Sequence, residues 1–198
     1  VTGSTELLDR ARHWIDIYDN ADHLHRTEDW LRVLAPEATP GMLIAALTHD
    51  MERAYPGPDR VDFDARKGPS NPDYNRQHQD RSARILSNWL REQGASEDLV
   101  SEVAALVAAH EEGGWPAADL VEAADCISYL EVNVDLLLGW IPKRTCYVGP
   151  KEAKEKLDDT LARIRIPRAV ELARPYYERG LERLAAYVAE HEPEQVYG

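Results

Sequence analysis

Apolar residues return every three or four positions along nearly the whole chain, and no stretch alternates long enough for a confident strand. That period admits helices and little else. Leu7, Leu8, Ala11, Ile15 and Tyr18 mark a first helix, about 5–20. A second spans about 21–35 and stops at Pro36, and a third begins at the Thr39-Pro40 cap and reaches about residue 54. The segment 55–72 carries four prolines and two glycines and reads as a long loop, a length that usually serves function. A fourth helix runs over about 73–93, with Gly94 as terminator. Ser96 caps a fifth, which ends at Gly113-Gly114, and Pro116 opens a sixth that reaches about Trp140. After a loop at 141–149, two more helices follow near 150–164 and 168–190, with Pro175 expected to kink or split the last and the tail 191–198 expected to fray. The pattern predicts one all-α domain over 1–198, a helical bundle with its core in 5–140 and a C-terminal helical extension over 150–190.

Six polar side chains interrupt the apolar faces of this bundle. His23 shares its stripe with Thr27, Trp30, Leu31 and Leu34. His49 and Asp50 close the run GMLIAALTHD, with Met42, Ala45 and Ala46 behind the histidine and Leu43, Ala46 and Leu47 behind the aspartate. His78 lies with Ser82, Ile85, Leu86 and Trp89, His110 follows Leu99, Val103, Leu106 and Val107, and Asp125 sits between Val121 and Tyr129. One inward histidine is ordinarily a hydrogen-bonded core residue, but buried carboxylates need a charge partner or a metal. A cation satisfies all six together. Imidazole and carboxylate suit a divalent transition metal, Fe, Mn, Zn, Ni or Co, and the absence of thiolate from the set argues against a closed structural zinc site. Six ligands exceed one tetrahedral ion, so one or two ions are expected, with Asp50 shared by a pair. Ions roughly 3.5–4 Å apart activate water and clamp phosphoryl oxygens. His13, His25 and His191 are expected to be ordinary.

The order His23, His49-Asp50, Asp125 resembles the signature of the HD superfamily of metal-dependent phosphohydrolases. HLHRT resembles its first-histidine helix, AALTHD its small, apolar run into the doublet, and EAADCISYLE its final helix. With His78 and His110 the series is similar to the two-metal branch, which includes HD-GYP phosphodiesterases and HD-type di-iron oxygenases, and to an uncharacterised HD-like family of similar length. The resemblance covers residues 23 to 131. It implies ligation by His23, His49, Asp50 and Asp125, with His78 and His110 completing a second ion. Arg53 falls four residues after His49, where many HD-GYP members carry a lysine in HDxGK, but HDMER here lacks the glycine that accompanies it.

The function expected is hydrolysis of a phosphate ester of a nucleotide or small phosphorylated metabolite by metal-activated water. Asp50, Arg53 and Glu111 are the catalytic candidates, with Glu111 or Glu112 as a base or an orienting group. Glu52 reads more as a solvated helix end. Arg26, Arg53, Arg76 and Arg81 are the candidates for holding phosphate, because guanidinium matches its oxygens bidentately. Loop 55–72 and the segment 141–154 are expected to cover the site. The same ligand types serve a di-iron oxygenase or a non-catalytic metal- or ligand-binding module.

The formal net charge of −13 excludes a general nucleic-acid or anionic-membrane surface but not a small phosphorylated substrate. Two cysteines, no apolar run near the roughly 20 residues that span a bilayer, and no cationic flank or apolar core at the start predict a cytoplasmic protein. The Trp and Tyr residues of the last helices would serve a homodimer as well as a lid.

Overall fold

The computed structural model describes residues 3–191; of the tail expected to fray, 192–198 lie outside the described residues. It is all-α: nine helices with short 3-10 turns, and no strand among the described residues. The helices are α1 (Ser4–Trp14), α2 (Ala21–Leu34), α3 (Pro40–Thr48), α4 (Pro72–Glu92), α5 (Glu97–Val107), α6 (Pro116–Val132), α7 (Val134–Lys143), α8 (Pro150–Arg163) and α9 (Pro167–His191). Among the described residues, no helix is long and apolar enough to cross a membrane.

Local sequence sets most of the starts. α3, α4, α6, α8 and α9 each begin with proline, whose missing N–H is unpaired at a first turn in any case. The Thr39 hydroxyl accepts from Met42 N at 3.1 Å, and Asn71 Oδ1 accepts from Asp73 N at 3.0 Å. α3 is buried from Gly41 to Thr48 and lies against α1, α2, α5 and α6. α2 packs along α6, α4 along α5, and the pair α8–α9 closes on α6.

Several boundaries differ from the periodic expectation. The third helix ends at Thr48 and a 3-10 turn follows at Met51–Ala54. The fifth ends at Val107, and residues 108–112 form turns. Both endings have one cause. His49 Nδ1–H donates to the carbonyl of Ala46 at 2.9 Å, and His110 Nδ1–H to that of Val107 at 2.7 Å. Each ring thereby satisfies a carbonyl that its helix leaves open, at three residues' distance. The expected sixth helix is two, α6 and α7, separated at Asn133 (φ −96°, ψ 0°). α9 runs through Pro175 without splitting. Glu171 and Pro175 are both exposed, so water can reach the carbonyl that proline leaves without a donor.

Candidate metal centre

Five segments deliver the six inward side chains to one place. α2 brings His23, the end of α3 brings His49 and Asp50, α4 brings His78, the turn after α5 brings His110, and α6 brings Asp125. The four imidazoles form a row, with ring centroids 5.3 Å apart from His23 to His49, 4.9 Å from His49 to His110 and 5.1 Å from His110 to His78. All four are buried. Gly113 at φ +59° turns the chain between His110 and α6, a backbone position costly for any other residue.

Carboxylates flank this row. Asp125 Oδ1 lies 3.0 Å from His23 Nε2 and 3.3 Å from His49 Nε2. Asp50 Oδ1 lies 3.0 Å from His78 Nε2, while its Oδ2 forms an ion pair with Arg53 Nε at 3.0 Å. Glu111, unforeseen as a ligand, joins His78 and His110 at the far end. Three overlapping groups each have ligand atoms within 4.8 Å of one another: His23, His49 and Asp125; His49, Asp50 and His110; His78, His110 and Glu111. These groups could hold a metal ion.

The outer hydrogen bonds fix which nitrogen faces the centre. His49 and His110 spend Nδ1–H on backbone carbonyls. His78 Nδ1–H donates to Glu52 Oε1 at 3.0 Å. The Ser128 hydroxyl donates to the carbonyl of His23 at 2.8 Å, so its oxygen accepts from His23 Nδ1–H at 2.9 Å. All four Nε2 atoms are therefore left as acceptors near carboxylates, and His78 Nε2 also meets Arg53 Nη2 at 3.5 Å. Acceptors facing acceptors in a buried space repel unless a cation or a proton sits between them. His110 Nε2 is buried with no hydrogen-bond partner. The donor set and this orphaned nitrogen both fit a divalent ion.

The electrostatics record the same demand for positive charge. Burial works against a charged His49, but Asp125 and Asp50 outweigh it and raise its pKa to about 9. His110, equally buried and facing His49 and His78, is pushed well below the usual histidine value. Burial alone would raise Asp50 and Asp125. Arg53 and His78 hold Asp50 well down, and His49 and His23 do so for Asp125.

The centre opens into a cavity of about 130 Å³, walled by His23, His49, Asp50 and Asp125 on one side and by residues of α7 and α8 on another. A wider cleft of about 550 Å³ shares Tyr18, Arg53, Phe63 and Trp140 with it. Phe63 from loop 55–72 and Val148 line the cavity, and Arg60, Asp62, Thr145 and Cys146 line the cleft. Both segments expected to cover the site thus border it.

Of the residues expected to hold phosphate, only Arg53 lines the cavity. Arg26 is bound on both sides of its guanidinium by Glu131, with Nε to Oε2 at 3.0 Å and Nη2 to Oε1 at 2.9 Å. Arg76 is exposed and paired with Asp73. Arg81 is buried, bonded to the carboxylate and carbonyl of Glu52, the carbonyl of Tyr55 and Asp59. It locks the turn after the His-Asp doublet. Glu111 reaches the cavity wall, where Arg163 binds its carboxylate. Glu52, read from sequence as solvated, is 1% exposed and joins His78 to Arg81. Its local context gave no sign of this, because its partners lie 26 and 29 residues away. Lys156 and Arg163 were also missed, and both lie in the segment expected to be an extension beside the core. His13 and His191 are exposed, and His25 is half-exposed near Asp16.

Comparison with protein-family models, curated proteins and solved structures finds no match for this chain.

Proposed function

We propose that this protein is a metal-dependent phosphohydrolase of the HD type, acting on a phosphate ester of a nucleotide or small phosphorylated metabolite. The observation that carries the proposal is the convergence of four Nε2 acceptors on buried carboxylates, with His110 Nε2 unpartnered. His23, His49 and Asp125 would hold one divalent ion and His78 and His110 a second, with Asp50 between them. Such ions supply Lewis acidity toward a phosphoryl oxygen and bring the pKa of a water to about 7.

The chain's own groups complete the chemistry. Arg53 lies at the cavity wall with Nε beside Asp50 and Nη2 beside His78 Nε2, and its remaining N–H groups would meet a phosphoryl oxygen. Glu111, steadied by Arg163, is the base that orients a nucleophile and takes its proton. Four carboxylates line the cavity with three cations and a His49 whose pKa is raised to about 9, so the lining is close to balanced on its own and a single divalent ion makes it positive. This reconciles an acidic protein with an anionic substrate.

The test is metal analysis of the purified protein with phosphate release from a panel of nucleotides and sugar phosphates. Metal-dependent release, lost in His49→Ala and Asp50→Ala, is expected. Stoichiometric iron with a coupled mixed-valent EPR signal, and no phosphate release, would replace hydrolysis with di-iron oxygen chemistry.

A further inference from the structure

α8 places Glu152, Lys156, Thr160 and Arg163 on the cavity wall. Steps of four, four and three put these on one helix face, so this is a built wall and not a chance approach of one side chain. The lysines on the other faces of α8 have ordinary partners. Lys151 lies 3.5 Å from Glu155, and Lys154 donates to Asp158 at 2.7 Å. Lys156 has no such carboxylate among the described residues; the residue four positions on is Thr160. Its ammonium lies over aromatic rings, 5.5 Å from the Tyr129 centroid and 5.8 Å from that of Phe63. The other two cations on the wall already contact carboxylates, Arg53 that of Asp50 and Arg163 those of Glu111 and Asp125. One further donor on this wall is buried without a partner, Arg163 Nε. A half-buried lysine with no carboxylate in ion-pair contact, beside an unmatched buried donor, is an arrangement a bound anion completes.

We infer that Lys156 anchors the anionic group of the substrate, a compact phosphomonoester held between the inward face of α8 and the histidine–carboxylate centre. The identity of the anion as a phosphoryl group rests on the phosphohydrolase reading; the anion site itself does not. α8 is then the substrate-binding half of the site.

Titration calorimetry of inorganic phosphate into the manganese-loaded protein tests this, with bound metal measured on each sample. Lys156→Met should weaken phosphate binding roughly tenfold or more, the worth of one charge-assisted hydrogen bond. Lys156→Arg should recover most of it, and Lys154→Met, on the outer face, should leave it unchanged. Metal content should be equal in all four proteins, and Lys156→Gln should repeat the loss if Met disturbs folding. The inference is overturned if wild type binds no phosphate with metal in place, if the Met and Gln variants bind it as tightly as wild type, or if either variant loses metal along with phosphate. Lys156-dependent phosphate binding without turnover of any ester would uphold the anchor and sink the hydrolase reading instead.

Discussion

Glu28 and Asp125 are both buried carboxylates, on helices that pack against each other, yet their surroundings are opposite in kind. Glu28 accepts from Arg12 Nε at 3.0 Å and Nη2 at 2.5 Å, and from Arg32 Nη2 at 2.6 Å. Every contact is a donor. Burial would raise its carboxyl, but the two arginines hold it below its ordinary value. Asp125 faces the Nε2 atoms of His23 and His49, whose protons are spent elsewhere. Glu28 is closed by two arginines, whereas Asp125 has imidazole nitrogens at Oδ1 and only the more distant Arg163 guanidinium, at 3.9 Å, beside Oδ2. A buried carboxylate closed by fixed donors is already satisfied, and one that faces imidazole nitrogens is placed where a ligand set could use it.

The largest effects should come from breaking the acceptor side. His49→Ala or Asp125→Ala should weaken metal binding roughly beyond the ~10–100-fold that outer partners are worth. Helical circular dichroism should survive. Saturating metal should raise the thermal midpoint of wild type, a stabilisation of about 2.7 kcal/mol at one hundred times Kd. Neither variant should show that rise. A variant retaining full metal by elemental analysis would mean that the acceptor cluster is a core and not a ligand set.

Glu52→Gln probes the outer support. Its carboxylate takes His78 Nδ1–H and the Arg81 guanidinium. A neutral amide keeps the shape but not the charge, so metal affinity should fall by roughly 10–100-fold. Glu28→Ala makes the contrasting cut. It should cost roughly 1–3 kcal/mol of stability, the worth of hydrogen bonds to charged groups, because both arginines reach solvent once released. Equilibrium denaturation would register that loss while metal content stays at the wild-type level. Should Glu28→Ala strip the metal and Glu52→Gln keep it, the donor–acceptor distinction fails.

The sequence carried the acceptor set better than its support. Period and capping residues give nearly every helix, and His23, His78 and Asp125 are legible because each falls at a fixed place on an apolar stripe. His49 and His110 were legible as inward residues but not as the ends of their helices, since a side chain that takes a helix's last carbonyl leaves no mark in the period. Arg26 and Arg81 illustrate the limit on charged residues. Whether an arginine meets a carboxylate or a cavity depends on partners tens of residues away, such as Glu131 for Arg26. Lys156 was hidden for the converse reason, as one lysine in a highly charged helix whose inward face shows only once α8 is docked on α6.

Glu122 lies between these extremes and gives the smallest, most discriminating effect. One turn before Asp125, it is 1% exposed, with one oxygen bound by Arg165 and the other, Oε1, buried without a partner. Burial raises it most, Arg165 opposes that, and Asp125 and Asp119 raise it further, to about 7. The sign follows from proton binding. Between the ordinary carboxyl value of 4.5 and about 7 the folded chain keeps this proton and the unfolded chain has lost it. Stability therefore falls as pH rises through that window and is level above it. Glu122→Gln removes the titration, so its thermal midpoint should decline less from pH 5 to pH 8 than that of wild type, with the largest advantage at pH 8. Metal content should not change. Parallel profiles for the two proteins would show that Arg165 alone satisfies Glu122, which would place it with Glu28 on the donor-closed side.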